Sequence, residues 1–301
     1  MFSDASMRVL DCAGRPLPLD RPRVVGILNV TPDSFSDGGE HASSEMAVAH
    51  GLRMVEDGAD MLDVGGESTR PGADEVSVDE ELRRVLPVVE RLAAKVDVPI
   101  AVDTSKPEVM RAAVAAGAGM INDVYALRRE GALDVAAELG VPVCLMHMQG
   151  EPRDMQVTPH YDDVVGEVHR FLADRVLACG MAGIDPGRIM VDPGFGFGKN
   201  LQHNLALLSG LERFRDLAAG IYVGLSRKSM IGAITGRAIP GNRLAGSVTA
   251  AVLAVQRGAI CVRTHDVAAT CDALAVWQAV HASEPVVRTV APAGPIWPDD
   301  D

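Results

Sequence analysis

Short apolar runs alternate with amphipathic stretches along most of the chain. A run such as Ile100–Val102 has the length of a strand, whereas Leu82, Val85, Val89 and Leu92 before it recur at helical spacing. Eight such units predict a parallel sheet closed into a (β/α)8 TIM barrel rather than an open doubly wound sheet. The predicted strands, each with a following helix, are 24–28, 61–64, 100–102, 120–121, 143–146, 189–191, 221–225 and 259–262.

The same pattern sets the domain organisation, which is one barrel over residues 23–282. Residues 1–22 are polar and proline-punctuated, and the alternation near Arg8–Asp11 predicts a small ribbon that caps the barrel floor. Residues 283–301 carry four prolines and three terminal aspartates, so we expect a disordered tail. Two late helices are predicted from apolar spacing, one from Leu205, Leu208 and Leu211, the other from Leu244, Val248, Ala251 and Val255.

The first strand stops abruptly at the segment Asn29–Gly39, which reads N-V-T-P-D-S-F-S-D-G-G. Proline, short polar residues and a glycine pair favour turns, and one aromatic residue, Phe35, lies among them. This composition predicts a mobile lid with a single apolar face, of the kind that excludes water from a reaction. An ordinary strand-to-helix turn is the alternative.

Polar side chains follow most of the predicted strands. Active sites of TIM barrels lie at the carboxyl ends of the strands, so side chains there would ring one mouth of the barrel and indicate an enzyme. Taken singly, a carboxylate or amide at this mouth could instead bind loop backbone. The ring comprises Asn29, Asp63, Asp103, Asn122, Asp123, His147, Asp192, Ser226–Lys228, Arg263 and His265.

Charge and composition narrow the possible partners. A formal net charge of −13 argues against nucleic acid or an anionic membrane, whereas a small anionic ligand would need cations gathered locally. Five cysteines without metal-type spacing indicate reduced core thiols, and the N-terminus lacks a secretory pattern. We therefore expect a soluble, cytoplasmic protein.

The glycine-rich stretch Gly194–Lys199 suggests a phosphate loop at first sight. Asn200 stands where such a loop needs Ser or Thr, and the glycine spacing also differs from a dinucleotide fingerprint. We expect these glycines to let backbone pack against a flat ligand, with Phe197 beside it.

Seven ordered motifs resemble those of the dihydropteroate synthases, the folate-pathway enzymes that are the target of sulfonamides. The resemblance extends from about Val24 to Val280. Its motifs are the lid sequence and D-V-G-G-E-S-T-R-P-G (63–72), D-T-S-K-P (103–107), I-N-D-V (121–124), D-P-G-F-G-F-G-K (192–199), G-L-S-R-K-S (224–229) and R-T-H-D-V (263–267).

The resemblance implies a transferase that joins para-aminobenzoate to a dihydropterin carried as its methyl diphosphate. It implies pterin binding by Asp103, Asn122 and Asp192, with Met146, Phe197 and Lys228 framing the ring. The implied walls of the aminobenzoate pocket are Pro32, Phe35, Thr69, Arg70, Pro71 and Ser229. Diphosphate is assigned to Arg263 and His265, and Mg²⁺ to the side-chain carbonyl of Asn29.

The implied catalytic residues are Asp103, Lys228, Arg263 and His265, and we interpret Asp63 as structural and Asp266 as a helix N-cap. The resemblance also implies a homodimer. Two alternatives keep the pterin pocket: a binding paralogue without synthase activity, and a pterin-dependent methyltransferase. The intact Thr69–Arg70 and Ser226–Ser229 strings argue against both.

Overall fold

The computed structural model describes residues 8–31, 39–68, 72–73, 75–151 and 153–282, with backbone alone for 39–42. Its strands are β1 (Val9–Cys12), β2 (Arg15–Pro18), β3 (Arg23–Asn29), β4 (Met61–Gly65), β5 (Ile100–Asp103), β6 (Met120–Asp123), β7 (Val143–Met146), β8 (Ile189–Asp192), β9 (Gly220–Gly224) and β10 (Ala259–Thr264). Its helices are α1 (Gly39–Glu56), α2 (Val78–Ala93), α3 (Pro107–Ala115), α4 (Ala132–Leu139), α5 (Val164–Met181), α6 (Leu201–Ser209), α7 (Ser229–Thr235), α8 (Leu244–Gln256) and α9 (Val267–His281).

Strands β3 to β10 are parallel and close into an eight-stranded barrel, as the sequence predicts. The barrel closes where β10 pairs with β3, with Arg263 opposite Val25. Helices lie between successive strands and cover the outside, so the strands are buried on both faces. The TIM-barrel prediction is confirmed.

The inside of the barrel has two layers, because side chains on a strand alternate in direction. The lower layer is apolar and includes Met61, Ala101, Met120, Cys144 and Met190. Two residues further along each of these strands stand Asp63, Asp103, Asn122, Met146 and Asp192. The period of two therefore places polar groups directly above an apolar floor.

The N-terminal ribbon forms part of that floor. Strands β1 and β2 pair antiparallel, and their buried residues Leu10, Cys12 and Leu17 pack into the lower layer. The predicted ribbon is therefore present, and its apolar face closes the amino-terminal end of the barrel. Residues 283–301, where a disordered tail is expected, lie outside the described residues.

The predicted helix pattern is wrong in detail after β9. Two helices follow this strand, since α7 begins at Ser229 before α8. Leu244, placed in the predicted apolar stripe, is 43% exposed. Ala251 and Val255 of the predicted stripe are buried. The other buried residues of α8, Ser247, Ala250 and Ala254, are small, and a search for large apolar residues misses them.

No single helix in the described ranges combines the length and apolar character that crossing a membrane requires. The segments Ser229–Thr235 and Pro240–Gln256 satisfy the length and composition test only as a pair, with a bend of 73° between them.

The contact between ribbon and barrel is testable at Gly119. A Cβ atom at this position would lie 2.2 Å from the carbonyl oxygen of Cys12, so Gly119→Ala must displace backbone. We expect a loss of about 1–3 kcal/mol in the free energy of unfolding, measured by urea denaturation. Gly180→Ala is the matched control, because nothing lies within 4 Å of its Cβ position in α5. The control should gain about 0.5–1 kcal/mol, and equal stability of both variants would contradict the close contact.

Candidate active site

The upper layer of the barrel is held together by Arg263. Its Nε donates to Asp63 Oδ2, and its Nη2 donates to Asp103 Oδ2 at 2.9 Å. Asn122 Nδ2 donates to the same Asp63 oxygen at 2.9 Å. Asp63 is fully buried, so its carboxylate orients Arg263 and Asn122 rather than facing the mouth.

Two carboxylates share this one guanidinium, which changes their ionisation. Burial raises the pKa of Asp103 to about 7, against the opposing effect of Arg263, and the nearby charge of Asp63 raises it further. Burial alone would lower the pKa of Arg263, but Asp63 and Asp103 outweigh it and the pKa rises. The guanidinium is therefore charged, while Asp103 titrates near neutral pH.

Asp192 and Lys228 are a second set of interacting charges at the mouth. Asp192 Oδ1 accepts a hydrogen bond of 2.8 Å from the Gly194 amide, and burial raises the pKa of Asp192 to about 6. Burial lowers the pKa of Lys228 to about 8, although Asp192 acts in the opposite direction. The Lys228 ammonium lies 4.1 Å from the centroid of the Phe197 ring, in a cation–π contact.

Apolar side chains complete one wall of the mouth. Met146 belongs to a cluster with Val124, Met148 and Met155, against which Tyr125 and Phe197 pack. A flat ring can lie against such a wall, because thioethers and aromatic faces adapt to planar ligands. Val124, Met148 and Met155 are not among the site residues that the sequence predicts. Val124 closes the I-N-D-V motif and Met148 follows Met146 at strand spacing, but nothing in the sequence marks Met155.

The glycine-rich stretch is a tightly packed turn. Gly194, Gly196 and Gly198 all have positive φ, and a Cβ on Gly194 would lie 1.9 Å from the His147 carbonyl oxygen. Lys199 points into the protein, where its Nζ lies 2.9 Å from His147 Nδ1 and donates to the Phe197 carbonyl at 2.9 Å. This geometry agrees with the rejection of a phosphate loop, since the lysine is buried under the turn.

The same contacts define the state of His147. Burial, reinforced by Lys199, lowers the pKa of His147 to about 2, so the imidazole is neutral. Its Nδ1 and the Lys199 Nζ, 2.9 Å apart, form a buried hydrogen bond beneath the turn. His147 supports the turn that carries Phe197.

The S-R-K-S segment after β9 is held in an unusual conformation. Arg227 has a left-handed φ of 58°, and its amide donates to Ser247 Oγ at 2.9 Å. Its guanidinium binds both oxygens of Asp266, at 3.0 and 2.5 Å. Asp266 occupies the N-cap position of α9 but makes no capping bond with its side chain. Asp266 is therefore the N-cap residue, as predicted, but its carboxylate binds Arg227 instead of the amides of the first helical turn.

This ion pair brings the last two loops of the barrel together. Ser226 Oγ lies 3.0 Å from His265 Nδ1 and also accepts from the His265 amide at 3.2 Å. Lys228 precedes the first residue of α7, Ser229, so Ser226, Lys228, Ser229 and His265 are positioned by one connected arrangement.

Comparison with known proteins agrees with this geometry. The profile of a family described as "Pterin binding enzyme" matches residues 25–265. The dihydropteroate synthase of Escherichia coli K12 is 54% identical over 266 residues, which are 88% of this chain and 94% of the relative. The chain belongs to the dihydropteroate synthase family.

Two solved structures of the family are similar over nearly their whole length. The Xanthomonas albilineans dihydropteroate synthase with 4-aminobenzoic acid is 65% identical with a TM-score of 0.88, covering 92% of this chain and 99% of that one. The Yersinia pestis enzyme with a sulfonamide drug is 49% identical with a TM-score of 0.86, covering 91% and 99%. The predicted family is confirmed.

Several residues that the family resemblance implies have no described position. Pro32, Phe35, Thr69, Arg70 and Pro71 lie outside the described residues, as does most of the Asn29–Gly39 segment. Asn29 itself ends β3 opposite Gly65, at the rim of the mouth. The structure thus brings together Asp103, Asn122, Asp192, Lys228, Arg263 and Met146 with Phe197. All the aminobenzoate walls stay a prediction, and Ser229 is the one among them whose position is described, at the start of α7.

The barrel mouth offers few protein oxygen atoms that could bind a magnesium ion. Within the described ranges, no group of three or more His, Cys, Asp or Glu side chains could hold a metal. Asp63 and Asp103 are engaged by Arg263. The ligand that the resemblance implies is the amide oxygen of Asn29. Mg²⁺ commonly takes one or two protein oxygens and completes its shell with substrate phosphate and water, so the residues fit an ion that arrives with diphosphate.

Proposed function

We propose that this protein joins para-aminobenzoate to (7,8-dihydropterin-6-yl)methyl diphosphate, giving 7,8-dihydropteroate and diphosphate. The aromatic amine attacks the methyl carbon, a carbon–nitrogen bond forms, and the carbon–oxygen bond to diphosphate breaks. The observation that carries this proposal is the convergence of Asp103, Asn122, Asp192 and Lys228 around Arg263 at one mouth of the barrel.

Pterin recognition follows from the types of group at this mouth. A pterin presents a row of donors and acceptors along one edge, which carboxylates and an amide can read in a fixed register. Asp192 and Asn122 are held by Gly194 and Asp63, so their remaining polar atoms are pre-oriented. Met146 and Phe197 pack against the ring faces.

The electrostatics suit a reaction that needs no protein nucleophile. An aromatic amine is neutral and nucleophilic at pH 7, so the protein must stabilise the electron-poor methyl carbon and the departing diphosphate. Asp103, when ionised, offsets positive charge at the carbon. Lys228, Arg263 and His265 serve the leaving group, and Nη1 is the Arg263 nitrogen that neither carboxylate uses.

Mg²⁺ is the cofactor we infer, bound by Asn29 at the rim. The ion neutralises charge on diphosphate oxygens when it is bound. Asn29 also begins the predicted lid, so diphosphate and Mg²⁺ would order the walls of the aminobenzoate pocket and make substrate binding sequential. Sulfonamides resemble para-aminobenzoate, so their binding would also depend on bound diphosphate and Mg²⁺.

We also propose a cytoplasmic homodimer. Cys12, Cys144, Cys179 and Cys261 are buried within the described residues and form no disulfide there, which supports a reducing compartment. Helices α7, α8 and α9 are neighbours and expose large apolar side chains, among them Ile234 at 55% and Val276 at 66%. An exposed apolar face of this kind is typical of contact with a second copy.

The proposed role of Asp103 predicts a loss of turnover and a change in its pH dependence when the carboxylate is removed. Asp103→Asn should lower kcat at least about a hundredfold, since one well-placed electrostatic partner is worth that much. In the wild type, kcat/KM should fall as the pH drops below about 7, because protonation removes the negative charge of Asp103. In the variant, the pH below which kcat/KM falls should move towards about 6, which is the pKa of Asp192.

Steady-state turnover with both substrates, followed through released diphosphate across pH, measures both effects. Asp185→Asn is the control, because the exposed side chain of Asp185 accepts from the Gly187 amide and an asparagine oxygen can do the same. Wild-type kinetics in Asp103→Asn would remove Asp103 from the mechanism.

Diphosphate binding tests the anion site and the metal together. His265→Ala should weaken diphosphate binding about tenfold in calorimetry with Mg²⁺, because a hydrogen-bond partner to phosphate is lost. Asn29→Ala should abolish the gain in affinity that Mg²⁺ gives the wild type. His169→Ala, a histidine of α5 packed near Phe214, serves as the control. If the diphosphate affinity of the wild type is the same with and without Mg²⁺, the result would argue against the metal site.

The dimer is tested by a charge placed on its proposed face. Ile234→Asp should raise the dimer dissociation constant at least about tenfold in sedimentation velocity, because a carboxylate would be buried without a partner. Leu177→Asp is the matched control, since Leu177 is 65% exposed on α5. A monomeric wild type, or equal effects of both variants, would contradict the proposed interface.

A further inference from the structure

A buried lysine lies under the glycine-rich turn, and none of the roles described so far uses it. Lys199 is 3% exposed, and burial lowers its pKa well below the usual value. Its Nζ lies 2.9 Å from His147 Nδ1 and donates to the carbonyls of Phe197, at 2.9 Å, and His147, at 3.4 Å. Burying the polar end of a lysine costs free energy, so an apolar side chain would fill this space at lower cost. The bonds themselves therefore need an explanation.

The glycines of the turn make a tether useful. Gly194, Gly196 and Gly198 have φ of 70°, 80° and 62°, and glycine adopts many other conformations without steric cost. Phe197 stands between the second and the third of them. The bond from Lys199 to the Phe197 carbonyl therefore selects one conformation of the turn and, with it, one direction for the Phe197 ring.

The other end of this tether is fixed at the mouth of the barrel. His147 follows Met146, the last residue of β7, and its amide donates to the Asp192 carbonyl at 2.9 Å. Asp192 is the last residue of β8. By bonding to both His147 and Phe197, Lys199 fixes the turn relative to two predicted pterin contacts, Met146 and Asp192.

The Phe197 ring connects the turn to the rest of the predicted pterin site. The ring packs against the cluster that contains Met146, and the Lys228 ammonium lies 4.1 Å from its centroid. The turn backbone is also close to this lysine, because a Cβ atom on Gly196 would lie 3.1 Å from Lys228 Cδ. A change in the turn would therefore displace the ring wall and disturb the position of Lys228.

We propose that Lys199 is a positioning residue for the pterin ring and acts through Phe197. The inference rests on the proposed function, in which Phe197 and Met146 pack against the ring faces. A wall held in place before binding loses less entropy when the ring arrives, so affinity for the ring should depend on Lys199. The aminobenzoate pocket has other walls in the proposed function, so binding of that substrate should not depend on this lysine.

The test removes the donor and keeps an unbranched side chain of similar length. Lys199→Met should raise KM for the pterin diphosphate about tenfold, because a hydrogen bond that fixes the wall is lost. The dissociation constant of 6-hydroxymethylpterin, which carries the ring without diphosphate, should rise by the same factor in calorimetry. KM for para-aminobenzoate and kcat at saturation should change less than about twofold, because neither depends on ring binding once the pterin is saturating.

Two further variants separate positioning from a general structural role. Lys199→Gln can still donate to a carbonyl, so it should recover part of the affinity, and it replaces the methionine variant if that variant fails to fold. In a Phe197→Leu background, adding Lys199→Met should weaken ring binding less than about twofold, because the lysine acts through that ring. Lys95→Met is the matched control, since Lys95 is exposed after α2.

Wild-type ring affinity in Lys199→Met, an equal loss in Lys95→Met, or a full further loss in the Phe197→Leu background would overturn the positioning role. Failure of the proposed function gives a different result. A wild type that binds 6-hydroxymethylpterin without turning over would refute the synthase reaction, and the ring affinities of wild type and Lys199→Met would still decide the inference. A wild type that does not bind 6-hydroxymethylpterin would refute the inference as well.

Discussion

The buried contact of Arg263 with Asp63 and Asp103 is the interaction on which the upper barrel depends. It joins β10 to β4 and β5 across the closure, and it sets the orientation of Asn122 through the shared Asp63 oxygen. Removing one member of such a buried group leaves an uncompensated charge, at a cost of about 3–5 kcal/mol. Charged side chains can be buried above the apolar floor only because Arg263 is paired and hydrogen-bonded with Asp63 and Asp103.

Around this group, the loops are fixed by polar contacts in addition to apolar packing. Asp123 accepts from the amides of Tyr125 and Leu127, which holds Ala126 and Leu127 in left-handed conformations. The Arg227 turn and the buried Lys199 do the same for their loops. Backbone strain of this kind persists only where surrounding contacts impose it, and it gathers at sites that need fixed geometry.

Although the chain is acidic, the cations that would bind an anionic substrate are concentrated in a buried part of the site. Lys228 and Arg263 face the mouth of a protein whose formal net charge is −13. In the less polarisable interior, a few charges act more strongly than many exposed ones. The overall acidity of the chain is therefore compatible with an anionic substrate, because the cations that would bind it are concentrated at the mouth.

The sequence alone determined the barrel, because the spacing of apolar residues that distinguishes strands from helices can be found within short stretches of the chain. Eight strand–helix units in succession then predict a closed parallel barrel. It also placed Asp103, Asn122, Asp192 and Arg263 at one mouth, since strand ends and a period of two suffice for that. Only the tertiary structure decided which groups pair: Asp63 with Arg263, Asp266 with Arg227, and Lys199 with His147. These partners are separated by up to 200 residues, and the choice among competing cations depends on distances that the fold creates.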